Sequence, residues 1–226
     1  MICFIGIQNR MYAQCPILPA LPKSAKTIES FIPKTWFILD SAKGDFNADK
    51  SLDIVLVIGN EKENEEDNFE YACNRAILIL QKTKDSYILS SFTKEGVLCK
   101  QCGGVFGDPY ASISLEKNVL KINHYGGSNW RWTQDYTFRF QQNEWQLIGI
   151  SNDSFFVGSD CDGEGVGDAG RNLVEVNFST SKIHVIKTKD TECKPYKDEW
   201  LTCGKKPFIS LSQFDVSEDY MPIKIN

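Results

Sequence analysis

Histidine is scarce in this chain, with two residues in 226. That thins the supply of general bases near neutral pH and of nitrogen ligands for zinc. Basic residues are not in excess: 25 Lys and Arg stand against 30 Asp and Glu, a formal net charge of −5. No basic stripe is available to neutralise phosphates, which argues against a nucleic-acid partner. Nothing approaches the roughly 20 apolar residues of a membrane-spanning helix, so no transmembrane segment is expected. No G-x-S-x-G elbow, P-loop or HExxH occurs. Helical periodicity is also missing beyond two turns, and Pro16, Pro19, Pro22 and Pro33 forbid a long helix over residues 16–35.

What the chain does have is aromatic and β-branched. It carries 14 Phe, 8 Tyr and 5 Trp, a composition that favours strands. Residues 36–40, 53–59, 75–81 and 87–92 read as four strands in series, and the apolar run 54–58 suits a strand buried on both faces. Residues 111–115, 119–125, 129–140 and 145–150 repeat the pattern, with Trp130, Trp132, Tyr136, Phe138 and Phe140 on one parity. A hairpin over 172–188 follows, then a tail with a possible last strand at 208–214. Short connections imply antiparallel meanders. The expectation is one all-β domain over 31–226, built of four-stranded, blade-like sheet units over about 36–93 and 111–150. An incomplete β-propeller-like arrangement or a compact β-sandwich would satisfy it, since too few residues exist for a full ring. Residues 60–68, NEKENEEDN, read as a solvated acidic loop.

Residues 1–30 are a lead-in, with a short helical turn near 25–31. The opening MICFIGIQNRMYAQC reads either as the end of a truncated secretory signal or as an ordinary terminus, because the charged n-region is missing. Eight cysteines are many for a reducing compartment. Cys193 and Cys203 bracket a polar stretch, KPYKDEWLT, which a disulfide would close with a gain of roughly 3 kcal/mol. Cys99 and Cys102 form a CxxC followed at once by Gly103 and Gly104. It reads as a local structural disulfide at a turn rather than a zinc or thioredoxin-type site. Cys73 and Cys161 have no obvious mates.

The stretch GDFNADKSLDIVLV concentrates the chemistry. Asp45, Asn47, Asp49 and Asp53 occupy positions 1, 3, 5 and 9 of a loop between two strands, with Ser51 placed to offer its carbonyl. Clustered carboxylate and amide oxygens repel one another unless a hard cation gathers them, and Ca²⁺ is the natural choice. A solvated Asx-rich turn is the bland alternative. Asp160, Asp162, Glu164 and Asp168 repeat the spacing, with Val166 at the carbonyl position, as a second and weaker candidate. Tyr125 and Trp130 flank the Gly126-Gly127 break and are the aromatics expected to reach the surface as a platform for a glycan or peptide.

The first loop resembles the FG-GAP or VCBS repeat, the calcium-binding blade motif of integrin-α-type β-propellers, over about one blade. Lys50 stands where that motif has Gly, so a non-Gly residue must take the sharp turn. The runs LCKQCGGVFGDPY, INHYGGSNWRWTQDYTFRF and WQLIG resemble an uncharacterised family of bacterial secreted proteins. These resemblances imply a β fold with a calcium loop and a secreted, periplasmic or cell-surface location; with no catalytic motif in the chain, the expectation is a calcium-stabilised, non-enzymatic module that binds a protein or glycan partner. The alternative is a hydrolase using His124 with Asp108 or Asp135.

Overall fold

The computed structural model describes residues 15–65, 71–157, 170–189, 192–205 and 207–222, with the backbone alone at 189, 192–194 and 196. Among the described residues, twelve strands form two antiparallel sheets. The first holds β1 (Ser24–Ala25), β2 (Trp36–Gly44), β3 (Asp53–Asn60), β4 (Arg75–Lys82) and β5 (Tyr87–Val97), in the order β1-β5-β4-β3-β2. The second holds β6 (Tyr110–Glu116), β7 (Val119–Gly127), β8 (Trp130–Gln141), β9 (Glu144–Phe156), β10 (Asn172–Asn177), β11 (Lys182–Lys189) and β12 (Glu192–Thr202), in sequence order across the sheet. The expected hairpin over 172–188 thus extends the second sheet, giving five and seven strands in place of two four-stranded blades. Neither sheet closes on itself, and a shared core between them makes the compact two-sheet alternative the one realised.

β3 explains that layering. Every one of its residues is buried. Val55 and Val57 join Ile77 and Ile79 of β4 in the main core, against Leu120, Ile122, Tyr136 and Phe138 of the second sheet. Ile54, Leu56 and Ile58, on the other pleat, meet Ala76, Leu78 and Leu80 plus Leu18 and Phe31 from the lead-in. Residues 18–32 are therefore a third layer of the domain, with a short 3-10 turn at Glu29–Phe31. The Cys15–Cys73 disulfide ties the layer down. By the chain-entropy relation, a closure of this separation adds about 4 kcal/mol. Neither partner was identified from the sequence, because the link spans 58 positions.

At the C-terminal end, Leu211, Phe214 and Val216 enter the main core. Residues 211–213 are a 3-10 turn, and Ser210 makes only an isolated bridge to Gln146, so the strand expected over 208–214 does not form. The Thr93 hydroxyl donates to the Phe214 carbonyl at 2.6 Å, and the Val216 N–H donates to Glu95 at 2.7 Å.

Two further expectations are corrected. The acidic stretch 60–68 is not wholly solvated: Glu63 is 3% exposed and pairs with Arg75, itself 1% exposed. Cys203 is a free thiol. Cys193 lies in the first turn of pleat in β12 and Cys203 just beyond its last residue, so on the order of 30 Å of extended chain separates them. A disulfide needs Cα atoms within about 7 Å. That polar stretch is an edge strand, whose charges suit a sheet margin.

Candidate functional site

The loop between β2 and β3 begins where the two sheets come closest. A Cβ on Gly44 would lie 2.6 Å from the Leu115 carbonyl of β6, so only glycine permits the approach. Phe46, one residue past Asp45, plugs into the main core with ring centroids 4.7 Å from Phe140 and 5.2 Å from Trp145. An aromatic side chain inside an acidic loop was the overlooked sign that this loop is anchored. Asp53 opens β3 and is completely buried. Its carboxylate accepts from the Lys82 N–H at 2.8 Å and the Phe46 N–H at 3.2 Å, stitching loop, β3 and β4 together.

Above that anchor the loop folds on its own side chains. Asp45 accepts from the N–H groups of Asp49 at 3.1 Å and Lys50 at 2.8 Å. Asn47 Oδ1 accepts from the Asp49 N–H at 3.0 Å, and Asp49 accepts from the Ser51 N–H at 2.8 Å. The Asn47 amide donates to the second Asp49 oxygen at 2.8 Å. Lys50 takes the left-handed turn at φ 69°, and Ala48 does so at φ 62°. Each such non-Gly residue costs about 1–2 kcal/mol.

The electrostatics follow from these contacts. Burial raises the Asp53 carboxyl above its ordinary range, the Lys82 and Phe46 N–H bonds oppose the shift, and the charges of Asp49 and Asp45 add to it. Asp49 is lowered, first by the Ser51 N–H and then by Asn47. Among the described residues, no three His, Cys, Asp or Glu side chains converge closely enough to hold a metal ion as they stand. The donor set nevertheless fits a hard cation in kind, being all oxygen, with a buried carboxyl that two neighbouring negative charges disfavour. The second candidate (Asp160, Asp162, Glu164, Val166 and Asp168) lies outside the described residues.

His124 is 1% exposed on the inner face of the second sheet. Its Nε2 accepts from the Leu98 N–H at 3.3 Å, which leaves Nδ1 to donate to the Gln134 carbonyl at 3.1 Å. Burial lowers its pKa to about 4. With the ring buried and both nitrogens engaged, neither nitrogen is free to take a substrate proton in this geometry. Asp108 spends both oxygens on Arg75, at 2.9 and 2.7 Å. Asp135 pairs with Asn123 in register and so faces the opposite side of the sheet from His124. Neither carboxylate forms the expected dyad.

Arg75 is the centre of an ion triad missed in the sequence, with Arg75 and Glu63 buried and Asp108 at the surface. It holds Glu63 through Nε at 2.9 Å and Asp108 through its terminal nitrogens, joining β4 to the loop that precedes β6. Burial opposes its charge, but the bonds to Asp108 and Glu63 outweigh that and keep it protonated. The Cys99–Cys102 disulfide forms as expected in the same loop. The Gly127 N–H donates to the Gly103 carbonyl at 2.8 Å, docking the loop on β7.

Tyr125 and Trp130 do not share a face. Tyr125 pairs with Thr133, and its hydroxyl accepts from Arg131, whereas Trp130 has the parity of Trp132 and packs on Phe156 at 5.5 Å. Trp130 is exposed and Tyr125 is half-buried on the other face, so the expected platform is divided. Comparison with protein-family models, curated proteins and solved structures finds no match to this chain.

Proposed function

We propose that the protein is a calcium-stabilised, non-enzymatic β module of an exported protein, which binds a protein or glycan partner. The observation that carries this reading is the loop over 45–53. It gathers Asp45, Asn47 and Asp49 through two left-handed turns directly above the buried Asp53. Asp45, Asn47, Asp49 and Asp53 would hold the ion by side-chain oxygens and Ser51 by its carbonyl. Bound there, Ca²⁺ supplies positive charge that lets the carboxylates coexist. The loop's hydrogen bonds order it, and Phe46 fixes its base in the core. Export is supported by the Cys15–Cys73 and Cys99–Cys102 disulfides. No helix among the described residues is long and apolar enough to cross a membrane.

The test is a thermal melt of chelator-treated protein with and without added Ca²⁺. At a hundredfold excess over Kd the ion contributes ~2.7 kcal/mol. For a chain of this size that raises Tm by about 5–10 °C. Asp45→Ala with Asp49→Ala should remove most of the rise. A melt that ignores both chelator and calcium sinks the calcium reading.

A further inference from the structure

The inner face of the second sheet changes character between β8 and β10. One row across these strands is Tyr136, Ile150 and Val176, part of the buried core. The next is Gln134, Asn152 and Val174, and the one beyond is Trp132, Ser154 and Asn172. Amides and a hydroxyl thus replace aliphatic groups on a face that continues the core. A cleft of about 390 Å³ opens over these six residues. Gly126 helps to create it. A Cβ there would come within 2.5 Å of the Trp132 ring, so the indole occupies the space above Gly126 and forms a wall beside the open floor.

Asn152 Oδ1 and Asn172 Oδ1 are both shielded from solvent and have no hydrogen-bond partner. They are two of the five such atoms found among the described residues, and both belong to this one cleft. Buried carbonyl oxygens without donors are rare in folded proteins and point to a missing group. The register makes the two residues diagonal neighbours, separated by roughly 7–8 Å. Among the described residues, the only ionisable one lining the cleft, Asp153, is on the opposite pleat and is held by Arg171 at 2.8 Å. Among those residues, none offers an unpaired charge to an ionic ligand.

We infer that this cleft binds a neutral saccharide unit. Hydroxyls of one ring would hydrogen-bond to the side-chain amides of Asn152 and Asn172, which turn their shielded oxygens toward the ligand, Gln134 and Ser154 would complete the polar contacts, and the apolar ring face would lie against Trp132. The inference rests on the reading of the chain as a binding module but not on calcium.

The experiment is an indole-fluorescence titration with glucose, galactose, mannose and N-acetylglucosamine and their short oligomers. A glucuronate oligomer and a basic peptide serve as contrasts, and every titration is run with calcium and with chelator. Saturable binding of at least one neutral saccharide is expected. Asn152→Ala, Asn172→Ala and Trp132→Ala should each weaken it about tenfold or more. If Trp132→Ala fails to fold, the two amide variants decide. Binding of no neutral saccharide, binding of only the anionic oligomer or the peptide, or affinity unchanged in the folded amide variants would each overturn the assignment. Peptide binding that survives in those variants would leave a binding module with its site elsewhere. A melt insensitive to calcium alongside intact saccharide binding would break the calcium reading alone.

Discussion

The Arg75 triad and the Asn152–Asn172 cleft bury polar groups in opposite ways. Around Arg75, the guanidinium makes five hydrogen bonds of 2.7–3.2 Å to Glu63 and Asp108. In the cleft, two amide oxygens have no partner. The first arrangement spans the two sheets and serves cohesion. The second lies where the core ends, and its unmet bonds favour an incoming ligand over stability. A buried polar group that is satisfied within the fold is architecture, and one left unsatisfied is an opening for function.

Breaking the satisfied side should produce the largest effect. Arg75→Met leaves Glu63 and Asp108 without their cation and is expected to cost about 3–5 kcal/mol. Chemical denaturation would read this directly, accompanied by a Tm drop on the order of 10 °C. A loss below 1 kcal/mol would show that the triad does not hold the sheets together. Cys15→Ser should follow at about 4 kcal/mol or less, read as a reduction in unfolding free energy that is present without reductant and disappears when reductant opens the same bond in the wild type.

His124 lies between the two regions and sharpens the contrast through pH. The unfolded ring takes up its proton near pH 6.5 and the folded one only near pH 4. Its contribution is complete above pH 6.5 and is lost as the pH falls toward 4, on the order of 3 kcal/mol in all. Burial raises the carboxyls of Asp53, Glu95 and Asp135, which act in the opposite sense. The stability difference between wild type and His124→Gln across that window isolates the imidazole. A flat difference would show that the ring is not buried neutral.

The smallest effect is expected at Lys50. Lys50→Gly relieves the left-handed turn but adds freedom to the unfolded chain, for a net gain of at most ~1 kcal/mol. The decisive reading is the calcium-dependent part of the melt, which should grow. If the variant gains stability equally in chelator, the turn matters to the fold and not to the ion.

Much of this protein was legible from local pattern. The β-branched run over 54–58 required a strand covered on both sides, and β3 is one. The turn over 141–144 takes left-handed conformations at Gln142 and Asn143, as a two-residue hairpin demands. The residues of the acidic loop and the awkward position of Lys50 could be read from spacing. Less legible were features whose partners are distant in sequence. Glu63 looks solvated until Arg75 pairs with it, and Cys73 looks single until the lead-in brings Cys15 to it. His124 looks catalytic until Leu98 and Gln134 engage both its nitrogens.

Periodicity and composition by themselves determined an all-β, antiparallel chain with an oxygen-rich loop over 45–53, because strand pleat and turn geometry act over a few residues. Tertiary structure alone decided that the strands divide five and seven and that Asp53 is buried beneath that loop. It also set Tyr125 and Trp130 on opposite faces and left Asn152 and Asn172 unpaired in one cleft. Burial and hydrogen-bond satisfaction depend on which residues meet across the fold, and a pattern of neighbours along the chain does not carry that information.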